Sequence, residues 1–173
     1  MKLRYLLLTL AIFSSFNISA EPDPETKLDT ETATEPASRV YVKSIKSDYS
    51  KVYKKIFNGL ENNGYFVIIE PNIGRNLASF AQRWGNYYNK NKLETIRSMV
   101  FCNGGYANEI SNSDPTMLAL CPLHITLIEK KGTTSILFVR PGQVALNSPA
   151  YKIALELEQD VIRVIEEAIW EQK

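Results

Sequence analysis

Three segments with the pattern of β-strands follow one another in the second half of this 173-residue chain. They span residues 95–102, 123–130 and 134–140, and each is rich in apolar and β-branched residues. The last two are separated only by Lys131-Gly132-Thr133, which is short enough for a hairpin turn in which glycine adopts the required backbone angles. Strands joined so tightly run antiparallel, so this half of the chain predicts an antiparallel sheet.

The first half adds two strands and two helices. Strands are predicted at 40–45 and 65–70, with a helix between them that Ser47 or Asp48 can cap and that ends at Asn63-Gly64. A second helix is predicted over 73–88, and its aromatic edge is interpreted as core, with a pocket lining as the alternative. A last helix begins at Ser148-Pro149. The order β-α-β-α-β-β-β-α indicates the α+β class, with a single mostly antiparallel sheet and packed helices.

The last helix carries two neighbouring apolar stripes and a group of acids. Because this apolar face is wider than one sheet face usually needs, part of it is expected to bury against another subunit, which predicts a homodimer. The acids are interpreted as the solvent-facing side of the helix. They are Glu156, Glu158, Asp160, Glu166 and Glu167.

The N-terminal residues 1–20 have the pattern of a secretory signal peptide. Lys2 and Arg4 precede an apolar run over 6–16, and the segment closes on Ser19-Ala20. This run is shorter than the roughly 20 residues that a membrane-spanning helix needs. We therefore expect a soluble protein that does not span the membrane and is periplasmic or secreted.

Residues 21–38 are expected to be an acidic disordered tether, because they hold six acids, one lysine and three prolines. Residues 39–173 then form a single domain with a net charge of +4. Its cations crowd near the start, at Arg39, Lys43, Lys46, Lys51, Lys54 and Lys55. This cluster is interpreted as a solvated helix face, with an anionic ligand or the acidic tether as alternatives. No aromatic stacking pattern accompanies it, so nucleic acid is not expected as a partner.

Residues 101–129 contain both cysteines, the only histidine and Met117. The part between the strands is predicted to be a long ordered loop, which is where binding sites concentrate on a rigid sheet. The candidate ligand-binding residues are Cys102, Asn103, Gly104, Tyr106 and His124.

Cys102 ends one predicted strand and Cys121 precedes the next, so neighbouring strands can bring the two thiols together. In an oxidising compartment an even cysteine count favours a disulfide, and closing this loop would contribute roughly 3 kcal/mol. Two buried thiols and a reactive thiol pair are the alternatives. A thioredoxin-type exchanger would show Cys-x-x-Cys opening a helix, and that motif is absent from the sequence.

His124 shares one predicted strand face with Thr126 and Ile128, which favours a hydrogen-bonded structural histidine. The alternative joins His124, Met117 and Cys121, with Cys102, as ligands for copper or haem. No complete catalytic set is recognisable, and no cofactor is the leading expectation. The predicted function is therefore an exported, non-catalytic binding or accessory domain for a small molecule or a periplasmic protein. A periplasmic redox or cofactor-binding protein is the alternative.

This segment resembles the domain of unknown function 302 family. The family pattern is an apolar strand ending in Cys-Asn-Pro, an alanine, Asp-Pro, and Leu-Pro-Cys before a strand with a late glutamate. The matching residues are Phe101, Cys102, Asn103, Ala107, Asp114, Pro115, Leu120, Pro122 and Glu129. Gly104 replaces the first proline, and Leu123 stands where the second cysteine is expected. The resemblance implies a small α+β domain, similar to half of a TATA-binding-protein-like saddle, commonly a dimer and without a settled activity.

Overall fold

The computed structural model describes residues 38–170, which belong to one compact unit. The predicted leader and the predicted tether up to residue 37 lie outside the described residues. Within 38–170, no helix is long and apolar enough to cross a bilayer.

The described residues contain five strands, which form one sheet in the order β1-β5-β4-β3-β2 with every neighbouring pair antiparallel. The strands are β1 Val40–Ile45, β2 Phe66–Ile69, β3 Thr95–Cys102, β4 Leu123–Lys130 and β5 Thr133–Val139. The α+β class and the antiparallel sheet with packed helices are confirmed.

In the part of the chain that the structure describes, six helices accompany the sheet, and the two longest, α1 and α6, contribute most of the helical side of the core. The helices are α1 Tyr49–Asn62, α2 Ile73–Ala78, α3 Ala81–Trp84, α4 Gly104–Ser113, α5 Pro141–Val144 and α6 Tyr151–Trp170, and 3-10 turns lie at Gly85–Tyr87 and Pro115–Leu120. Residues that alternate along the central strands, such as Ile125 and Leu127 of β4, point into this core and are fully buried.

Helix α1 forms as its sequence predicts. The Asp48 side chain accepts a hydrogen bond from the Ser50 N–H, which caps the helix. Val52, Ile56 and Leu60 recur at four-residue spacing and are fully buried. Gly64, at φ +76°, follows the end of the helix in the left-handed conformation that glycine adopts readily.

The hairpin between β4 and β5 is also confirmed, with a shorter turn than predicted. Lys130 pairs with Thr133, so only Lys131 and Gly132 form the turn. Both have positive φ, 52° and 68°, as a type I′ turn requires.

The predicted helix over 73–88 is wrong in its length. The structure breaks this region into α2, α3 and a 3-10 turn, and Gly85 adopts φ +50° between Trp84 and Asn86. Its aromatic edge is not core, because Phe80 and Trp84 are exposed. A helical spacing of apolar residues therefore did not mark a buried face here.

The loop predicted between β3 and β4 contains helix α4 and the 3-10 turn Pro115–Leu120. The short α5 was also not predicted, and α6 begins at Tyr151.

The interpretation of the acids on α6 as solvent-facing is wrong for Glu158, which is fully buried beside Arg140. The broad apolar face of α6 packs within the chain, against α1, α4 and α5 as well as the sheet core. It therefore gives no support for a second subunit.

Candidate functional site

The two cysteines meet at the ends of adjacent strands. Cys102 is the last residue of β3, and Cys121 follows the 3-10 turn that leads into β4. Phe101 pairs with Leu123 across these strands, so Cys102 and Cys121, which flank this pair, come together at one end of the sheet. The Sγ atoms of Cys102 and Cys121 lie 3.0 Å apart in a thiol–thiol hydrogen bond.

A cavity of about 20 Å³ adjoins the two thiols. Most of its lining side chains are apolar, and it has room for about one water molecule. Its lining includes Tyr106, Ala107 and Ile110 of α4, Leu120, and Leu157 of α6. Small-molecule sites usually measure several hundred cubic ångströms, so the space beside the thiol pair is too small for a substrate-sized molecule.

Burial raises the pKa of the Cys121 thiol to about 11, and the hydrogen bond that this thiol shares with Cys102 adds to the effect. A nucleophilic cysteine needs the opposite shift, because the thiolate is the reactive form. The local environment therefore favours paired, slowly reacting thiols over an exchange-active pair.

Asn103 and Gly104 connect this region to α4. The Asn103 Oδ1 accepts hydrogen bonds from the N–H groups of Gly105 at 2.9 Å and Tyr106 at 3.2 Å, which caps the helix that begins at Gly104. Its Nδ2 donates to the Gly64 carbonyl at 3.2 Å. The side chain of this predicted ligand-binding residue thus bonds to backbone groups within the protein.

Asp114 has the same capping role for the 3-10 turn. It accepts hydrogen bonds from the Thr116 N–H and hydroxyl, at 3.0 and 2.6 Å, and from the Ser148 hydroxyl at 2.6 Å. The bonds from Ser148 and Thr116 hold the pKa of Asp114 below its usual value. Asp114 thereby joins the end of α4 to the segment that leads into α6.

The other sulfur and imidazole candidates lie elsewhere. Met117 packs against the hydrophobic core. His124 is exposed on the sheet and lines a separate cavity of about 170 Å³ with Pro122 and Val139. Among residues 38–170, no three His, Cys, Asp or Glu side chains are grouped so that they could hold a metal ion.

Glu129 fixes the start of α1 to the sheet. Its carboxylate accepts hydrogen bonds from the Tyr49 N–H at 3.2 Å and from the Thr95 hydroxyl at 3.1 Å. A carboxylate is favourable at a helix N-terminus, where the backbone N–H groups lack partners.

The sequence reasoning missed the sheet face opposite α1 and α6, which we call the open face. Directly paired residues of antiparallel strands share a face, so the register assigns its members. They are Val40, Val42, Ser44, Phe66, Ile69, Ile96, Ser98, Val100, Cys102, His124, Thr126, Ile128, Ser135, Leu137 and Val139. Val42 is 57% exposed, Phe66 67% and Ile69 57%. The signal in the sequence is that both alternating sets of β1, Val40 and Val42 as well as Tyr41 and Ile45, contain apolar residues.

The model of the family described as "Domain of unknown function DUF302" matches residues 40–168. The chain belongs to the DUF302 family. Three residues of the family pattern have structural roles here. Asn103 caps α4, Asp114 caps the 3-10 turn, and Glu129 holds the start of α1. In this DUF302 chain they therefore stabilise the connections around the sheet.

The fold is similar to that of a solved DUF302 structure described as an uncharacterized conserved protein from Bacillus stearothermophilus. The two share 17% sequence identity with a TM-score of 0.65, over 76% of this chain and 99% of that one. None of the curated proteins compared with the chain matches it significantly. The comparisons thus define family and fold.

Proposed function

We propose that this DUF302 protein is an exported, non-catalytic binding domain that binds its partner through the open face, and that its first partner is a second copy of the chain. The observation that carries the proposal is the exposure of large apolar side chains on this face. Export rests on the sequence pattern of residues 1–20.

Exposed apolar surface of this kind is typical of interaction sites. A sheet that stays single-layered normally presents polar residues to water on its outer face. Here Val42 on one edge strand and Phe66 and Ile69 on the other are more than half exposed. Covering these side chains with an apolar partner surface would remove them from water, which is the main driving force for association.

The chemistry around the thiols supports a role without catalysis. The raised pKa of Cys121 disfavours its thiolate, and the adjoining cavity has no room for a substrate. His124 lines a different cavity from the cysteines.

The mass of the protein in solution, measured by light scattering during size-exclusion chromatography, tests the proposal. We expect a dimer for the unaltered chain and a monomer for the double variant Val42→Asp/Phe66→Asp. The matched control is Val144→Asp/Leu146→Asp, which places the same charges at two other half-exposed apolar residues outside the sheet. A monomeric unaltered protein, or equal loss of the dimer in both variants, would overturn the homodimer.

The second part of the proposal is that Cys102 and Cys121 form a disulfide in the exported protein. Their Sγ atoms are already in contact, and a bridge would tie the end of β3 to the start of β4. An intact-mass spectrum without reductant should show a chain two hydrogens lighter than the reduced sequence. A full complement of free thiols in protein taken from its own compartment would contradict the bridge.

A redox or cofactor-binding protein, with copper or haem held at the Cys102–Cys121 pair and without Met117 or His124, is the second candidate. The observation in its favour is the approach of the two thiols to 3.0 Å. Copper analysis and an absorption spectrum of the purified protein separate the candidates. Stoichiometric copper or a haem absorption band would favour the cofactor protein, and its loss in Cys102→Ser/Cys121→Ser would place the group at the thiols.

A further inference from the structure

The segment between β2 and β3, residues 71–93, carries exposed aromatic side chains. Phe80 is 47% exposed, Trp84 39% and Tyr87 80%. No residue of this segment is fully buried. Aromatic residues normally contribute large buried areas to cores and interfaces. Three exposed rings in eight residues therefore indicate a surface that a membrane or another molecule covers.

The same segment is exclusively basic. Residues 71–93 contain Arg75, Arg83, Lys90 and Lys92 and no aspartate or glutamate. All four cations are exposed, and the Lys90 ammonium lies 4.3 Å from the centroid of the Tyr87 ring. We call residues 71–93 the aromatic-basic segment.

The aromatic-basic segment is held firmly on the sheet. Gly74 of α2 lies against β3 so closely that a Cβ atom there would be 3.4 Å from the Ile96 nitrogen. The Asn89 side chain closes the end of the segment, because it donates to the Leu93 carbonyl at 2.8 Å and accepts from the Leu93 N–H at 2.9 Å. Ile73 and Leu77 are partly covered, whereas Phe80 and Trp84 remain exposed.

We propose that the aromatic-basic segment binds the surface of a lipid bilayer that contains anionic phospholipids. Tryptophan and tyrosine rings are favoured at the membrane interface, where one part of the ring contacts acyl chains and another contacts headgroups. Lysine and arginine near the surface are attracted to anionic headgroups. The contact is peripheral, since the described residues contain no helix that could cross the membrane.

Two other occupants fit the segment less well. A second copy bound symmetrically would bring four cations against four cations with no acid from this segment to pair them. Single-stranded nucleic acid binds aromatic rings that are free to stack on bases. Phe80 and Trp84 instead stack on each other, with ring centroids 5.2 Å apart.

Vesicle co-sedimentation tests the proposal, with the protein in the processed form that accumulates in cells. We expect binding to vesicles of roughly 70% phosphatidylcholine and 30% phosphatidylglycerol, little binding to pure phosphatidylcholine, and weaker binding as salt rises. Arg83→Gln/Lys92→Gln should weaken binding about 30-fold, because each cation near an anionic surface contributes about fivefold. The control Lys51→Gln/Lys54→Gln removes two exposed cations from α1 and should change binding less than threefold.

Tryptophan fluorescence gives a second readout at the segment itself. In Trp170→Phe, Trp84 is the only tryptophan, and its emission should shift to shorter wavelength with the anionic vesicles. No vesicle binding, an equal loss in both glutamine pairs, or an unchanged Trp84 emission would overturn the proposal. So would a change of oligomeric mass in Arg83→Gln/Lys92→Gln, which would identify the segment as a protein interface. Val42→Asp/Phe66→Asp should still bind vesicles, so this test is independent of the proposed dimer.

Discussion

Arg140 and the fully buried Glu158 form an ion pair beneath α5. The Nε and Nη2 atoms of Arg140 lie 2.7 and 2.6 Å from the Glu158 Oε1. The other carboxylate oxygen accepts a hydrogen bond from the Gly142 N–H at 3.0 Å. Both oxygens of the buried carboxylate are therefore satisfied, and the pair joins the end of β5 and α5 to the middle of α6.

Glu158→Ala is expected to lower the free energy of unfolding by about 3 kcal/mol, because it leaves the Arg140 charge and the Gly142 N–H without their partner. Urea unfolding measures the loss. Glu156→Ala, an exposed glutamate on the same helix, is the control and should change stability by less than about 0.5 kcal/mol. Equal effects of the two substitutions would show that the ion pair contributes no more than a surface charge.

Gly142→Ala should also destabilise this region. A Cβ at Gly142 would lie 3.0 Å from the Glu158 Oε2 and 3.2 Å from the Leu155 Cα, and the latter is backbone that cannot move aside cheaply. We expect a loss of about 1–3 kcal/mol in urea unfolding, as for other overpacked sites. Gly104→Ala is the matched control, since its Cβ would meet no atom within 4 Å. A Gly142→Ala protein as stable as Gly104→Ala would contradict the close packing.

Asp114 should make the protein sensitive to acid. Its folded pKa lies below the ordinary value of 3.8, so its contribution to stability is present above pH 3.8 and is lost as the pH falls through the folded pKa. Ser148→Ala removes the largest cause of the shift, and the carboxyl carbon of Asp114 should then titrate closer to pH 3.8 by NMR. An unchanged titration would mean that the hydrogen bond from Ser148 does not stabilise the carboxylate in solution.

The paired thiols give a prediction under oxidising conditions. Reduction of the Cys102–Cys121 bridge should lower the free energy of unfolding by roughly 3 kcal/mol, since the bridge closes a loop of about 20 residues. Cys102→Ser/Cys121→Ser should unfold like the reduced protein and should not respond to reductant. Identical unfolding of the unaltered protein with and without reductant would rule out a stabilising bridge.

The reduced protein gives a separate prediction about reactivity. At pH 9 an ordinary thiol with a pKa of 9.0 is half ionised, whereas a pKa of about 11 leaves only about 1% of Cys121 as thiolate. Alkylation of Cys121, followed by peptide mass spectrometry, should therefore be slow at pH 9 and accelerate up to about pH 11. A rate that levels off near pH 9 would contradict the raised pKa.

The parts of the fold that local patterns determine were predictable. Helix α1 has a cap at Asp48 and a buried stripe at four-residue spacing, and the β4–β5 turn has its glycine, so neither depends on distant residues. The burial of Glu158 depends on Arg140, which lies 18 residues earlier, and no periodicity within α6 reports it. Helix α4 was missed because two glycines and several polar residues obscured its pattern, although Asn103 marks its start.

The candidate site was predictable in part. Adjacent strand ends predicted the approach of Cys102 to Cys121, and the structure brings their Sγ atoms to 3.0 Å. Prediction of the open face requires knowing which side of the sheet α1 and α6 cover. The alternation of apolar residues along single strands does not provide this. The exposure of Phe80 and Trp84 was unpredictable for the same reason, because a helical stripe does not show whether a partner element is present.

The sheet order places the first strand of the domain beside the last. Ser44 of β1 and Ser135 of β5 are hydrogen-bonded although 91 residues separate them. Contacts between such distant residues form late and slow the folding of a chain. A chain that enters a translocation channel with its N-terminus first cannot complete this pairing until residue 139 has also crossed. The topology itself thus delays folding until most of the chain has passed, which is compatible with the proposed export.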